Sequence, residues 1–227
     1  FASGMTFTQY LDFIATPENL KREGSGGEPR RDMSAQIRAW YEASRLSEAQ
    51  VGALRWLASQ PGGPAKILVI SEEWSSDCRR DVPMLARMAE AASLDLRIFT
   101  RDGQRFSQSP QPSLDEAPDS NADLMAKFMN VKNGQAWQSI PVAAFYTRDF
   151  EYLYHYTEYP AIYHKDRLVN EYIRAPRPGE TPTLTGERAA REFTALQQSP
   201  FFRIWACAGV DEILSALHER LILGSLA

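Results

Sequence analysis

Lys66-Ile67-Leu68-Val69-Ile70 is a short apolar, β-branched run that follows Pro61-Gly62-Gly63-Pro64 and precedes a turn from Ser71 to Asp77. A run of this length between breakers is the signature of a strand buried on both faces. From Cys78 the apolar positions Val82, Leu85, Met88, Ala89 and Ala92 recur at the period of a helix, and Leu94 to Thr100 then alternates as a second strand. Strand, turn, helix and strand in that order make a β-α-β unit, whose two strands must run parallel and whose crossover should be right-handed. This unit is the feature around which the remainder of the chain has to be arranged.

The segments on either side read differently. Before the strand, Thr6-Phe7-Thr8-Gln9 and Ser47-Glu48-Ala49-Gln50 have capping-box spacing, and a stretch from Ser34 through Trp40 is also helical. A Gly24-Ser25-Gly26-Gly27 loop separates the first of these from the others, and it lacks the GK[ST] ending of a phosphate loop. After the second strand, Gly103 to Asn121 is rich in Pro, Ser, Gln and Asp and reads as an exposed loop. Ala122 to Val131 is expected to be a helix stopped by Asn133-Gly134. Ile140-Pro141 then opens Val142 to Tyr146, which pairs with Glu151 to Tyr156 as a hairpin. Further helices are expected near Ala161 to Arg174, Gly186 to Gln197, Pro200 to Ala208 and Asp211 to Leu223, with Ser199 as a cap ahead of Pro200.

Composition removes several functions. The chain has 227 residues, 44% of them hydrophobic, enough for one substantial core. Its 25 basic and 29 acidic residues give a net charge of -4 with no basic field for phosphates, so nucleic acid is not an expected partner. No apolar run approaches the roughly 20 residues that span a bilayer. The two cysteines, Cys78 and Cys207, are far apart and are expected to be unpaired, and no Asn-x-Ser/Thr sequon occurs, which fits a cytoplasmic protein. His155, His164 and His218 show no metal-ligand spacing with the cysteines, so neither a metal nor another cofactor is expected. Tyr152, Tyr154 and Tyr156 share one face of a strand, which suits packing.

Three local features, taken with the element order, carry a resemblance to the thioredoxin family over residues 64 to 160. Trp74 precedes the four-residue motif Ser75-Ser76-Asp77-Cys78; Pro83 follows Cys78 by five residues; Ile140-Pro141 opens a strand. The Asp77-Cys78 ending is similar to that of bacterial thioredoxin-like proteins whose motif ends in Asp-Cys. The resemblance implies an α/β thioredoxin-like fold, a central mixed sheet flanked by helices, with a helical extension at residues 1–63 and another at residues 161–227 packed on the same unit. It also implies a cis bond before Pro141 and a groove for an extended peptide lined by Trp74, Ser75, Ser76, Asp77, Arg79, Ile140 and Pro141.

The sequence departs from the family at two chemically important places. The first cysteine of the motif is replaced by Ser75, whose hydroxyl has too high a pKa to act as a disulfide-exchange nucleophile at neutral pH. The buried aspartate that many thioredoxins carry in the central strand is replaced by Val69. Ser75 suits a helix N-cap, and Asp77 suits the positive end of a helix, with proton transfer to Cys78 as its alternative role. Cys78 is either a small buried apolar residue or, helped by the helix terminus and Arg79, a thiolate. Two functions remain open: a peptide- or protein-binding module without a dithiol cycle, or an oxidoreductase using Cys78 alone with a small thiol such as glutathione.

Overall fold

The structure, a computed structural model, describes residues 1–224. Helices α1 (Phe7–Ile14), α2 (Pro17–Leu20), α3 (Ser34–Ala43) and α4 (Glu48–Ser59) precede strand β1 (Lys66–Ser71). Both capping boxes form: the hydroxyls of Thr6 and Ser47 accept from the N–H groups of Gln9 and Gln50, whose side chains bond back. Helix α5 (Ser76–Ala92) and strand β2 (Asp95–Thr100) complete the β-α-β unit, with β1 and β2 parallel from Lys66 opposite Asp95 to Ser71 opposite Thr100. Strands β5 (Val142–Tyr146) and β6 (Tyr152–Thr157) join antiparallel, in the spatial order β2-β1-β5-β6, so β1 is central and buried from Ile67 to Ser71. The architecture is a thioredoxin-like α/β fold, a mixed four-stranded sheet with added terminal helices.

One core runs through the sheet and the helices at both ends of the chain, from Tyr10 and Leu54 through Val69 and Phe145 to Leu217. Helix α5 packs against α3, α4 and α8 (Pro200–Gly224). Gly209, in the middle of α8, does not break it into the two expected helices. A Cβ there would stand 3.1 Å from the Tyr156 hydroxyl, so this glycine lets α8 close on β6. That contact also separates the strand tyrosines: Tyr156 is 1% exposed, while Tyr152 near the other end of β6 is 46% exposed. Ser199 closes helix α7 (Pro182–Gln198) through bonds from its N–H and hydroxyl to the Leu196 carbonyl, and α8 begins at once with Pro200. Helix α7 starts four residues earlier than expected, because Thr181 caps it and Pro182 occupies its first position.

Two further segments depart from expectation. The helix expected from Ala122 to Val131 is only the short α6 (Ala122–Met125) and a 3-10 turn over Ala126–Phe128. Beyond them β3 (Asn130–Lys132) and β4 (Gln135–Trp137) form a hairpin whose two-residue loop is Asn133-Gly134. Both loop residues have positive φ, 51° and 76°, the conformation that a tight hairpin demands and that Asn-Gly supplies at little steric cost. The segment expected to be helical from Ala161 to Arg174 is a 3-10 turn, Ala161–Tyr163, followed by a π-helix over Asp166–Ile173. Among the described residues, no helix is long and apolar enough to cross a membrane.

Candidate functional site

The C-terminal ends of β1 and β2 lie beside the N-terminus of α5, and the motif turns between them. Ser75 has extended backbone angles, and its hydroxyl accepts the Cys78 N–H at 3.4 Å, a long N-cap bond. It is 7% exposed, and Cys78 beneath it is 1% exposed. Burial pushes the Cys78 thiol up to about 12; contacts with Ser71, the Glu72 backbone and Ser75 offset only part of that effect. Polar groups nevertheless lie under the thiol, since the Tyr10 hydroxyl is 3.0 Å from Ser71 Oγ and both residues are wholly buried. Val69 is fully enclosed and faces Ile98 and Ala143 across the sheet.

The two charged residues of the motif are tied elsewhere. Asp77 receives Arg80 Nη1 on one carboxylate oxygen at 2.7 Å and Lys165 Nζ on the other at 2.5 Å. Arg79 donates to the carbonyls of Glu73 and Trp74 at 2.9 and 2.8 Å and to Gln197 Oε1 at 3.1 Å. Its guanidinium thus clasps the turn to α7. Trp74 meets Phe106 edge-on at 5.4 Å, with the Arg101 guanidinium 5.1 Å from its ring.

Trp74, Ser75, Ser76, Asp77 and Arg79 together line one wall of a cleft of about 500 Å³. Ile140 and Pro141 are buried below it, joined by a cis peptide bond, and Ser139 is the residue of that segment that reaches the cleft. The opposite wall was not evident in the sequence. Lys132, Asn133, Gln135 and Trp137 come from the unexpected hairpin, and Lys165, Asp166, Asn170 and Arg174 come from the π-helix and its flanks. Lys132 and Lys165 both bond Glu158, at 2.9 Å each, which joins hairpin, β6 and π-helix into one rim.

Two groups of buried charge support the site. Behind the turn, Glu72 and Glu73 are almost completely buried and are met by Arg22 and Arg30 from the N-terminal segment. Arg22 is 3.0 Å and Arg30 2.5 Å from Glu72, while Arg30 is 2.9 Å and Asn19 Nδ2 3.0 Å from Glu73. Asp102, just beyond β2, donates its N–H to Glu72 at 2.7 Å and pairs with Arg101 at 2.9 Å. Burial pulls the Arg30 guanidinium down, but Glu72 and Glu73 outweigh it and hold it above its ordinary value. The sequence signal was present in the two glutamates directly after an apolar strand.

The second group lies within α5. Arg80 is fully buried, 2.6 Å from Asp81 and under the rings of Tyr163 and Phe202, each 5.3 Å away. The Tyr156 hydroxyl donates to Asp81 at 3.0 Å. Burial raises the Asp81 carboxyl to about 6, against the opposing pull of Arg80. An unfolded aspartate titrates near 3.9, so between about pH 4 and pH 6 the folded state holds a proton that the unfolded chain has released. The stabilisation from this group is complete below about pH 4 and is lost as pH rises through 6. The Asp81 carboxyl carbon should therefore titrate near pH 6 by NMR. In urea unfolding, the accompanying decline between pH 4 and 6 should be flatter in Asp81→Asn; an equal decline in the variant would assign it to other groups.

The Thioredoxin_9 family, described as thioredoxin, matches residues 28–117, which span α3 through β2 and the motif. No curated protein matches the chain. Among solved structures, an HIV epitope-scaffold is similar at 12% identity, with a TM-score of 0.50 over 96% of this chain and 94% of the scaffold. A protein of unknown function from Pseudomonas aeruginosa is similar at 12% identity, with a TM-score of 0.46 over 95% of this chain and 98% of that one. At such identity the likeness to the scaffold concerns the fold alone. Topology and family match agree on a thioredoxin-like fold, and residues 28–117 are similar to the Thioredoxin_9 family.

Proposed function

We propose that this protein is a binding module, in which the cleft beside the N-terminus of α5 docks an extended peptide or protein segment without a dithiol cycle. The observation that carries this reading is the state of the motif's sulfur chemistry. The family's nucleophile position is a serine engaged as an N-cap, and the remaining thiol is buried, with its pKa pushed up to about 12. Thiol exchange requires a reachable thiolate, and both conditions work against Cys78. The cleft is independent of that chemistry, since its walls are Trp74, the β3–β4 hairpin and the π-helix rather than the thiol.

The test pairs chemistry with binding. With reduced glutathione and a peptide disulfide, the protein should turn over at the uncatalysed rate, whereas Ser75→Cys, which places a thiol at the helix terminus, should gain activity. Cys78→Ala should keep the peptide affinity of the unaltered chain within about twofold. Glutathione-dependent turnover by the unaltered chain that disappears in Cys78→Ala would replace the binding reading with the one-cysteine oxidoreductase.

A further inference from the structure

Resting on the reading of the cleft as a peptide groove, we propose that the segment it takes carries acidic side chains, received by Arg79 and Arg174. The other charges lining the cleft are matched. Lys165 lies between Asp77 and Glu158, and Lys132 reaches Glu158 at 2.9 Å and Asp166 at 3.8 Å. Arg79 and Arg174 are the two cations of the cleft with no carboxylate at ion-pair distance among the described residues. Arg79 spends its donors on two carbonyls and Gln197, and Arg174, which is exposed, bonds only the neutral Asn170, at 3.1 Å. Burial lowers the Arg79 guanidinium below its ordinary value, an effect that the nearby Asp77 and Glu73 only partly offset.

Both cations line the same cleft beside α7. Arg174 lies over the Phe193 ring at 6.0 Å, and Arg79 holds Gln197. Phe193 and Gln197 are four residues apart on α7, about one turn of the helix. Carboxylates of one segment lying in the cleft can therefore reach these cations. The cleft volume of about 500 Å³ has room for such a segment, and the half-exposed Trp137 offers an apolar surface beside it.

The experiment is fluorescence anisotropy on the full chain, with labelled peptides of alternating Glu and Val and their Gln/Val and Lys/Val counterparts. The Glu peptide should bind about tenfold more tightly than the Gln peptide at low salt, and the gap should shrink at 0.5 M salt. Arg174→Gln should weaken the Glu peptide about threefold, and Arg174→Glu should turn the preference toward the Lys peptide. Equal affinity for the Glu and Gln peptides overturns the acidic assignment while leaving the groove. An acidic preference unchanged in both Arg174 variants overturns the role of Arg174. Binding of none of the peptides removes the groove reading itself.

Discussion

Cys78 should react with iodoacetamide at pH 7 on the order of a thousandfold more slowly than an ordinary cysteine. A thiol raised to about 12 is ionised at roughly one part in 100,000 at that pH, while an ordinary thiol near 8.5 is ionised at about 3%. The thiolate is the reacting species, so the ratio of these fractions sets the rate ratio before burial slows access further. The measurement belongs in a Cys207→Ser background, because Cys207 is only half-buried and would otherwise report alongside it. The rate should climb about tenfold per pH unit through pH 10 without a plateau. A plateau by pH 9 would show a reachable, ordinary thiol and would restore one-cysteine chemistry.

The second large effect is expected from Arg30→Met. Arg30 is the guanidinium shared by Glu72 and Glu73, with its side chain completely buried. Replacing it leaves two enclosed carboxylates short of a counter-charge, with Arg22 still on Glu72 and only Asn19 on Glu73. Breaking a buried pair from one side costs about 3–5 kcal/mol, a large share of the 5–15 kcal/mol that holds a typical domain together. Urea unfolding should show a loss of this size. Adding Glu73→Gln should recover part of it, because one uncompensated charge is then removed. A loss below about 1 kcal/mol, the range of an exposed pair, would mean that water reaches the cluster.

The local elements of the fold were legible because their causes are local. The β1 run, the two capping boxes and the Ser75 N-cap each depend on residues within a few positions of one another. Asn133-Gly134 was misread because Met125, Phe128 and Met129 sit at helical spacing, and that pattern overrode the hairpin signal of the dipeptide. The near wall of the cleft followed from the motif. Its far wall did not, since Lys132, Lys165, Arg174 and Phe193 meet only after distant segments fold together. The expected split of α8 between Ala208 and Asp211 failed for a similar reason: Gly209 is seen to be a packing residue only once Tyr156 is across from it.

The cluster behind the motif also limits how such a sequence can change over time. Arg22, Arg30 and Arg101 balance Glu72, Glu73 and Asp102 among four separate stretches of chain, all of them buried. Altering one member strands the charge of another, so viable variation at these positions must be joint, with an arginine and its carboxylate replaced as a pair. In diverged relatives these positions should be inherited as a linked set. Exposed residues of the cleft outside its ion pairs, such as Gln135 and Trp137, can instead change position by position.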